Sequence, residues 1–134
     1  MSASRAPESR GPARIAPLAT LPLFHKLGGR KVVLAGDSDG ALWKAELLAA
    51  AGADLQVFAP ERPEVFAALA ENPPAGSVTI IPRGWEPADL AGARFAVADV
   101  ETDGEAERFV AAARAAGAVV NVVDKPPFCD VQFG

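Results

Sequence analysis

The stretch that most constrains the fold is Lys31-Val-Val-Leu-Ala-Gly-Asp-Ser-Asp-Gly-Ala-Leu-Trp-Lys-Ala45. Val32, Val33 and Leu34 form a short apolar run of the kind found in a strand buried on both faces. Gly36 closes it and allows a backbone conformation that side chains resist. Asp37, Ser38 and Asp39 then offer helix-capping oxygens. From Ala41 onward, Leu42, Ala45, Leu48 and Ala49 recur at helical spacing. A strand, a tight turn and a helix in this order point free backbone N–H groups above a sheet, and the helix dipole favours an anion there. A dinucleotide pyrophosphate is the usual occupant.

The dinucleotide fingerprint G-x-G-x-x-G/A is met at Gly36 and Ala41, while Ser38 stands at its middle glycine and Gly40 is an additional one. Two readings stay open at this point. Ser38 can donate its hydroxyl to a phosphate, with Asp39 and Gly40 beside it, or the turn is a structural connection that holds no ligand.

Downstream, Gly52 ends the first helix and residues 54–58 read as a second strand. Pro60 and Glu61 follow it. Glu61 lies roughly where such folds place an acid on the adenosine ribose, and it equally suits the first turn of the next helix, residues 63–71. An acid there would repel a 2′-phosphate, which favours NAD over NADP. Strands are expected at 78–82, 95–99 and 119–123, with a short turn or helix at 85–90 and a helix at 103–116. Trp85 reads as a packing residue. Asp99, Glu101, Asp103 and Glu105 could gather as metal ligands or simply load the N-terminal end of that helix with negative charge. Five strands alternating with helices imply an α/β fold: a Rossmann-like parallel sheet with helices on both faces. Ligands on such sheets bind beyond the carboxyl ends of the strands, where strand order reverses. That rule picks out Asp124, just past the last strand, either as a proton acceptor or as a loop carboxylate paired with Lys125.

The net charge of −4 argues against nucleic acid or an anionic membrane as a partner, and the single cysteine, Cys129, excludes an internal disulfide. No apolar run reaches membrane-spanning length and no signal core follows the N-terminal arginines, so a cytoplasmic location is expected. Residues 1–19, with Arg5, Arg10 and Arg14, read as a disordered tail ahead of one domain at 20–134. His25, the one histidine, has no Cys or His nearby in sequence and reads as a surface residue.

Three blocks of the chain resemble the NAD-binding domain of the siroheme synthase family, the precorrin-2 dehydrogenase and sirohydrochlorin ferrochelatase. They are Leu21-Pro-Leu-Phe24 before the first strand, the turn from Gly36 to Ala45, and Asn121-Val-Val-Asp124 with Cys129-Asp130. The family turn runs Gly-Gly-Gly-x-Val-Ala-x-Arg-Lys-Ala; this chain departs from it at Asp37, Ser38, Gly40 and Trp43. The resemblance implies NAD-dependent oxidation of precorrin-2 to sirohydrochlorin, followed by insertion of ferrous iron, itself a substrate, to give siroheme. It implies Asp124 as the base, with Gly36, Ser38, Asp39, Gly40, Pro60 and Glu61 as cofactor contacts and no resident metal. It also implies a tetrapyrrole substrate and a homodimer of the complete protein, whose dimerisation region would follow residue 134. The competing expectation is a dinucleotide-sensing or degenerate Rossmann module that catalyses nothing. The altered turn favours that alternative; the Asn-Val-Val-Asp block favours the enzyme.

Overall fold

The computed structural model describes residues 14–134. Arg5 and Arg10 of the expected tail lie outside the described residues, and 14–19 are exposed without helix or strand. The strands are β1 (Lys31–Ala35), β2 (Asp54–Phe58), β3 (Ser77–Ile81), β4 (Phe95–Ala98) and β5 (Val119–Val122). They form one parallel sheet in the order β3-β2-β1-β4-β5. The chain therefore builds outward from β1 to β3, then crosses back to place β4 on the other side of β1.

Helices cover both faces, as expected. Helix α1 (Asp39–Ala50) packs Ala41, Ala45 and Leu48 against Val32, Leu34, Leu55 and Val57, where Phe66 and Leu69 of the β2–β3 connection join them. Helix α3 (Asp103–Ala115) packs Ala106, Phe109, Val110 and Ala113 against Val33, Ala35, Ala96, Ala98, Val120 and Val122. Alternate residues of the inner strands feed opposite cores. Val32–Ala35 of β1 and Phe95–Ala98 of β4 are consequently apolar without a break, while β2 carries Gln56. Phe66 and Phe109 are fully buried plugs on the two sides, each contributing roughly 1.5–3 kcal/mol of burial.

The 63–71 segment is one helix only in outline. Residues Pro63–Phe66 form a 3₁₀ turn and α2 occupies Ala67–Glu71. Pro63 sets the first turn, and the Pro-Pro pair after Asn72 stops the helix early. Strand β3 begins one residue before its expected start, at Ser77, and ends at Ile81 rather than 82, because Pro82 has no N–H to extend the ladder. Gly52 sits just beyond the cap of α1 with φ +88°, as a helix-ending glycine does. The apolar 20–27 segment is largely unpacked: Leu27 is buried, but Leu21, Leu23 and Phe24 are exposed. The ring of His25, an exposed residue, meets Phe95 edge to face, and Trp85 meets Phe109 likewise. Among the described residues no helix is long and apolar enough to cross a membrane.

A short 3₁₀ turn, Pro87–Leu90, seats buried Leu90 under α3 and leads into β4. Asp89 fastens it by accepting two bonds from Arg83 (2.8 and 2.9 Å) and one from the Glu86 N–H (2.7 Å). The Arg83 guanidinium holds the Asp89 carboxyl below its ordinary value of 3.8. A depressed carboxylate contributes stability above its unfolded pKa and loses that contribution as pH falls through its folded value. Asp89→Asn is expected to cost about 1 kcal/mol at neutral pH. In urea titrations the gap from the unsubstituted chain should close as pH drops below 3.8.

Candidate active site

The turn after β1 is shaped by a contact with β4. Gly36 has φ +132°, and a Cβ there would lie 2.8 Å from the Asp99 Cβ and 2.9 Å from its carbonyl oxygen. A side chain would force the two strand ends apart. Ser38 is the N-cap of α1, where its Oγ accepts from the Ala41 N–H (3.1 Å). The same hydroxyl donates to the Asp99 carboxylate across the strand-order reversal. Asp39 and Gly40 open the helix, so their N–H groups have no acceptor within it. Asp37 turns toward β2, and its Oδ2 accepts from the N–H groups of Glu61 (3.0 Å) and Arg62 (2.7 Å). The structure thus brings Gly36, Ser38, Asp39 and Gly40 beside Pro60 and Glu61, both exposed.

On the β5 side of α1 lies a cleft of about 370 Å³. Asn121 and Val122 line it from β5 and Val123 from the turn after it, Gly40, Trp43 and Lys44 from α1, and Phe133 and Gly134 from the segment that folds back. Asp124 and Lys125 also line it, at the carboxyl end of β5. Asp124 has φ +58° and is the one non-glycine with positive φ among the described residues. Aspartate tolerates this left-handed conformation better than most side chains, and such residues cluster at functional sites. Lys125 is not its partner: the ammonium binds Asp103 at 2.9 Å, which overturns the Asp124–Lys125 pairing as the alternative.

Cys129 and Asp130 explain mechanically why they accompany the Asn-Val-Val-Asp block. The Cys129 Sγ accepts from the Val122 N–H and donates to the Val122 carbonyl, each at 3.2 Å. Asp130 accepts from Arg114 (2.6 Å) and from the Val120 N–H (3.2 Å). These bonds fold the chain back on the exposed edge of β5, so the turn carrying Asp124 is clamped at both ends.

Two further cleft residues stood inside the resembling sequence blocks without a role assigned to them. Lys44 donates to the Phe133 carbonyl (2.5 Å) and stands 4.1 Å from that ring's centroid. Burial pushes its pKa below the usual 10.5, while Cys129, Asp124 and Asp99 pull it back up. Asn121 is 4% exposed; its Nδ2 donates to the Val131 carbonyl (2.9 Å), and its Oδ1 has no partner among the described residues. No periodicity marks either residue, because each acts through a chain segment remote in sequence.

The acidic group Asp99, Glu101, Asp103 and Glu105 does not gather. Asp99 binds Ser38, Asp103 binds Lys125, and Glu105 closes the cap with Thr102. Among the described residues no cluster of three or more His, Cys, Asp or Glu could hold a metal.

The residues present fit a nicotinamide dinucleotide. The first-turn N–H groups of Asp39 and Gly40 await an anion, and Gly40 leaves the space of a side chain at the cleft wall. The orphaned Asn121 oxygen under the cleft awaits a donor. A parallel sheet with this reversal and this turn defines a dinucleotide-binding domain of the Rossmann type.

Comparison with known proteins gives the family. A model described as "Putative NAD(P)-binding" matches residues 23–134, and the chain belongs to that family. It is 45% identical over 113 residues to the siroheme synthases of Pseudomonas putida and Azotobacter vinelandii, matches covering 84% of this chain and 24% of each relative. It is 48% identical over 104 residues to that of Chromobacterium violaceum, covering 77% of this chain and 21% of the relative. The chain therefore spans about a quarter of the length of these relatives. Among solved structures, SirC, a precorrin-2 dehydrogenase, superposes with a TM-score of 0.66 over 85% of this chain and 54% of its own, at 19% identity, and shares the fold. The resemblance drawn from the three sequence blocks therefore holds, and with it the nicotinamide dinucleotide as cofactor.

Gly36→Ala is expected to destabilise the domain by about 2 kcal/mol or more, from strained backbone and the clash with Asp99 together. Thermal unfolding should show a lowered midpoint, and titration should show lost dinucleotide binding.

Proposed function

We propose that this domain oxidises precorrin-2 to sirohydrochlorin with NAD⁺, and that Asp124 is the base. The observation carrying this reading is Asp124 itself: a carboxylate held in left-handed backbone on the rim of the cleft, with its neighbouring lysine engaged elsewhere. Bound across the reversal, the dinucleotide would supply a hydride acceptor. The Ser38 hydroxyl is committed to Asp99, so the backbone N–H groups of Ser38, Asp39 and Gly40 would hold its pyrophosphate where Gly36 allows close approach, and Pro60 and Glu61 would flank its adenosine ribose. Asp124 takes the proton that leaves the tetrapyrrole as the hydride departs, so that loss of one hydride and one proton balances the two-electron oxidation. The Lys44 ammonium, half-buried on the α1 wall, offers the substrate's carboxylates a cation.

The same carboxylate would assist loss of pyrrole N–H protons when ferrous iron enters as substrate. The proposal extends to a cytoplasmic, homodimeric enzyme, in keeping with the resemblance carried by the three sequence blocks.

The test is NADH formation by the complete enzyme on adding precorrin-2. Asp124→Ala should lower the rate by a factor of about 100 or more while leaving NAD⁺ affinity within about twofold. Retained turnover would remove Asp124 from the mechanism. NAD⁺ binding without any turnover by the unsubstituted protein would support the sensing module instead.

A further inference from the structure

We propose that Asp37 makes the site selective for NAD over NADP, an inference that rests on the dinucleotide reading above. Asp37 follows Gly36 directly and could have capped α1, but Ser38 fills that role. Its carboxylate reaches instead to the loop after β2 and accepts from two consecutive backbone N–H groups, Glu61 at 3.0 Å and Arg62 at 2.7 Å. That loop flanks the adenosine ribose when a dinucleotide lies across such a sheet. Successive N–H groups pointing one way form a nest for an anion, and a 2′-phosphate is the anion NADP would bring. Here the nest already holds a carboxylate of the protein itself.

The surrounding charges reinforce the exclusion. Arg62 is the cation placed to meet a 2′-phosphate, yet its guanidinium leans toward Asp39 at 3.9 Å. Asp37, Asp39 and Glu61 outnumber it. A 2′-phosphate would have to displace Asp37 from two amides and then sit among carboxylates. A 2′-hydroxyl is a neutral donor and finds acceptors in the same place. Asp37 is thus a specificity-determining residue that works by occupying the phosphate's hydrogen-bond donors, and Glu61 adds repulsion from the exposed side.

Calorimetric titration of NAD⁺ and NADP⁺ tests this on the unsubstituted chain, Asp37→Asn, Asp37→Gly and Glu61→Gln. The unsubstituted chain should bind NAD⁺ at least about tenfold more tightly. Asp37→Asn keeps an acceptor oxygen without the charge and should cut that preference about tenfold at low salt, less at high salt. Asp37→Gly, which empties the nest, should cut it further; if that variant fails to fold, Asp37→Asn alone decides. An unchanged NAD⁺ to NADP⁺ ratio in the Asp37 variants would overturn the proposal and leave the dinucleotide reading standing, with Glu61→Gln showing whether selectivity lies there. No binding of either nucleotide to the unsubstituted chain would overturn the dinucleotide reading and this proposal with it.

Discussion

The absence of a single methyl-sized group at Gly36 lets β1 and β4 end side by side. With φ +132° and the Asp99 Cβ 2.8 Å from where its own would stand, this position admits no other residue without shifting a strand. Everything functional is arranged around that contact. It sets the start of α1, whose unpaired N–H groups face the crevice where strand order reverses. It also brings Asp99 within reach of the Ser38 hydroxyl, so the two halves of the sheet are bonded across the crevice floor. The glycine that a fingerprint reading assigns to phosphate binding thus has a structural duty first.

The buried architecture was legible because its physics is local. Continuous apolar runs in the inner strands, Gly52 beyond α1 and the spacing of Phe109, Val110 and Ala113 each follow from near neighbours in the chain. So did the exposure of His25 and the packing of Trp85. The position of Asp124 followed from a rule about parallel sheets rather than from its own surroundings.

What sequence could not supply were partners chosen across the fold. Lys125 looked like the partner of Asp124 and instead binds Asp103, twenty-two positions away. Asp37 looked like one of three possible caps and instead holds the loop after β2. The acidic quartet looked like one cluster, and three of its members, Asp99, Asp103 and Glu105, take separate partners. Cys129 and Asp130 were recognisable by resemblance alone; only their bonds to β5 show that they clamp the turn bearing Asp124. The apolar 20–27 segment leads into β1 yet leaves Leu21, Leu23 and Phe24 exposed.

We propose that the N-terminus of α1, altered turn included, holds the dinucleotide over the strand-order reversal. The most direct measurement is a nuclear magnetic resonance titration of the ¹⁵N-labelled chain with NAD⁺. The largest amide shifts are expected at Asp39 and Gly40, with smaller ones at Glu61 and from Asn121 to Asp124, and little change in α2 and β3. Saturable binding that leaves the Asp39 and Gly40 amides unmoved would contradict it.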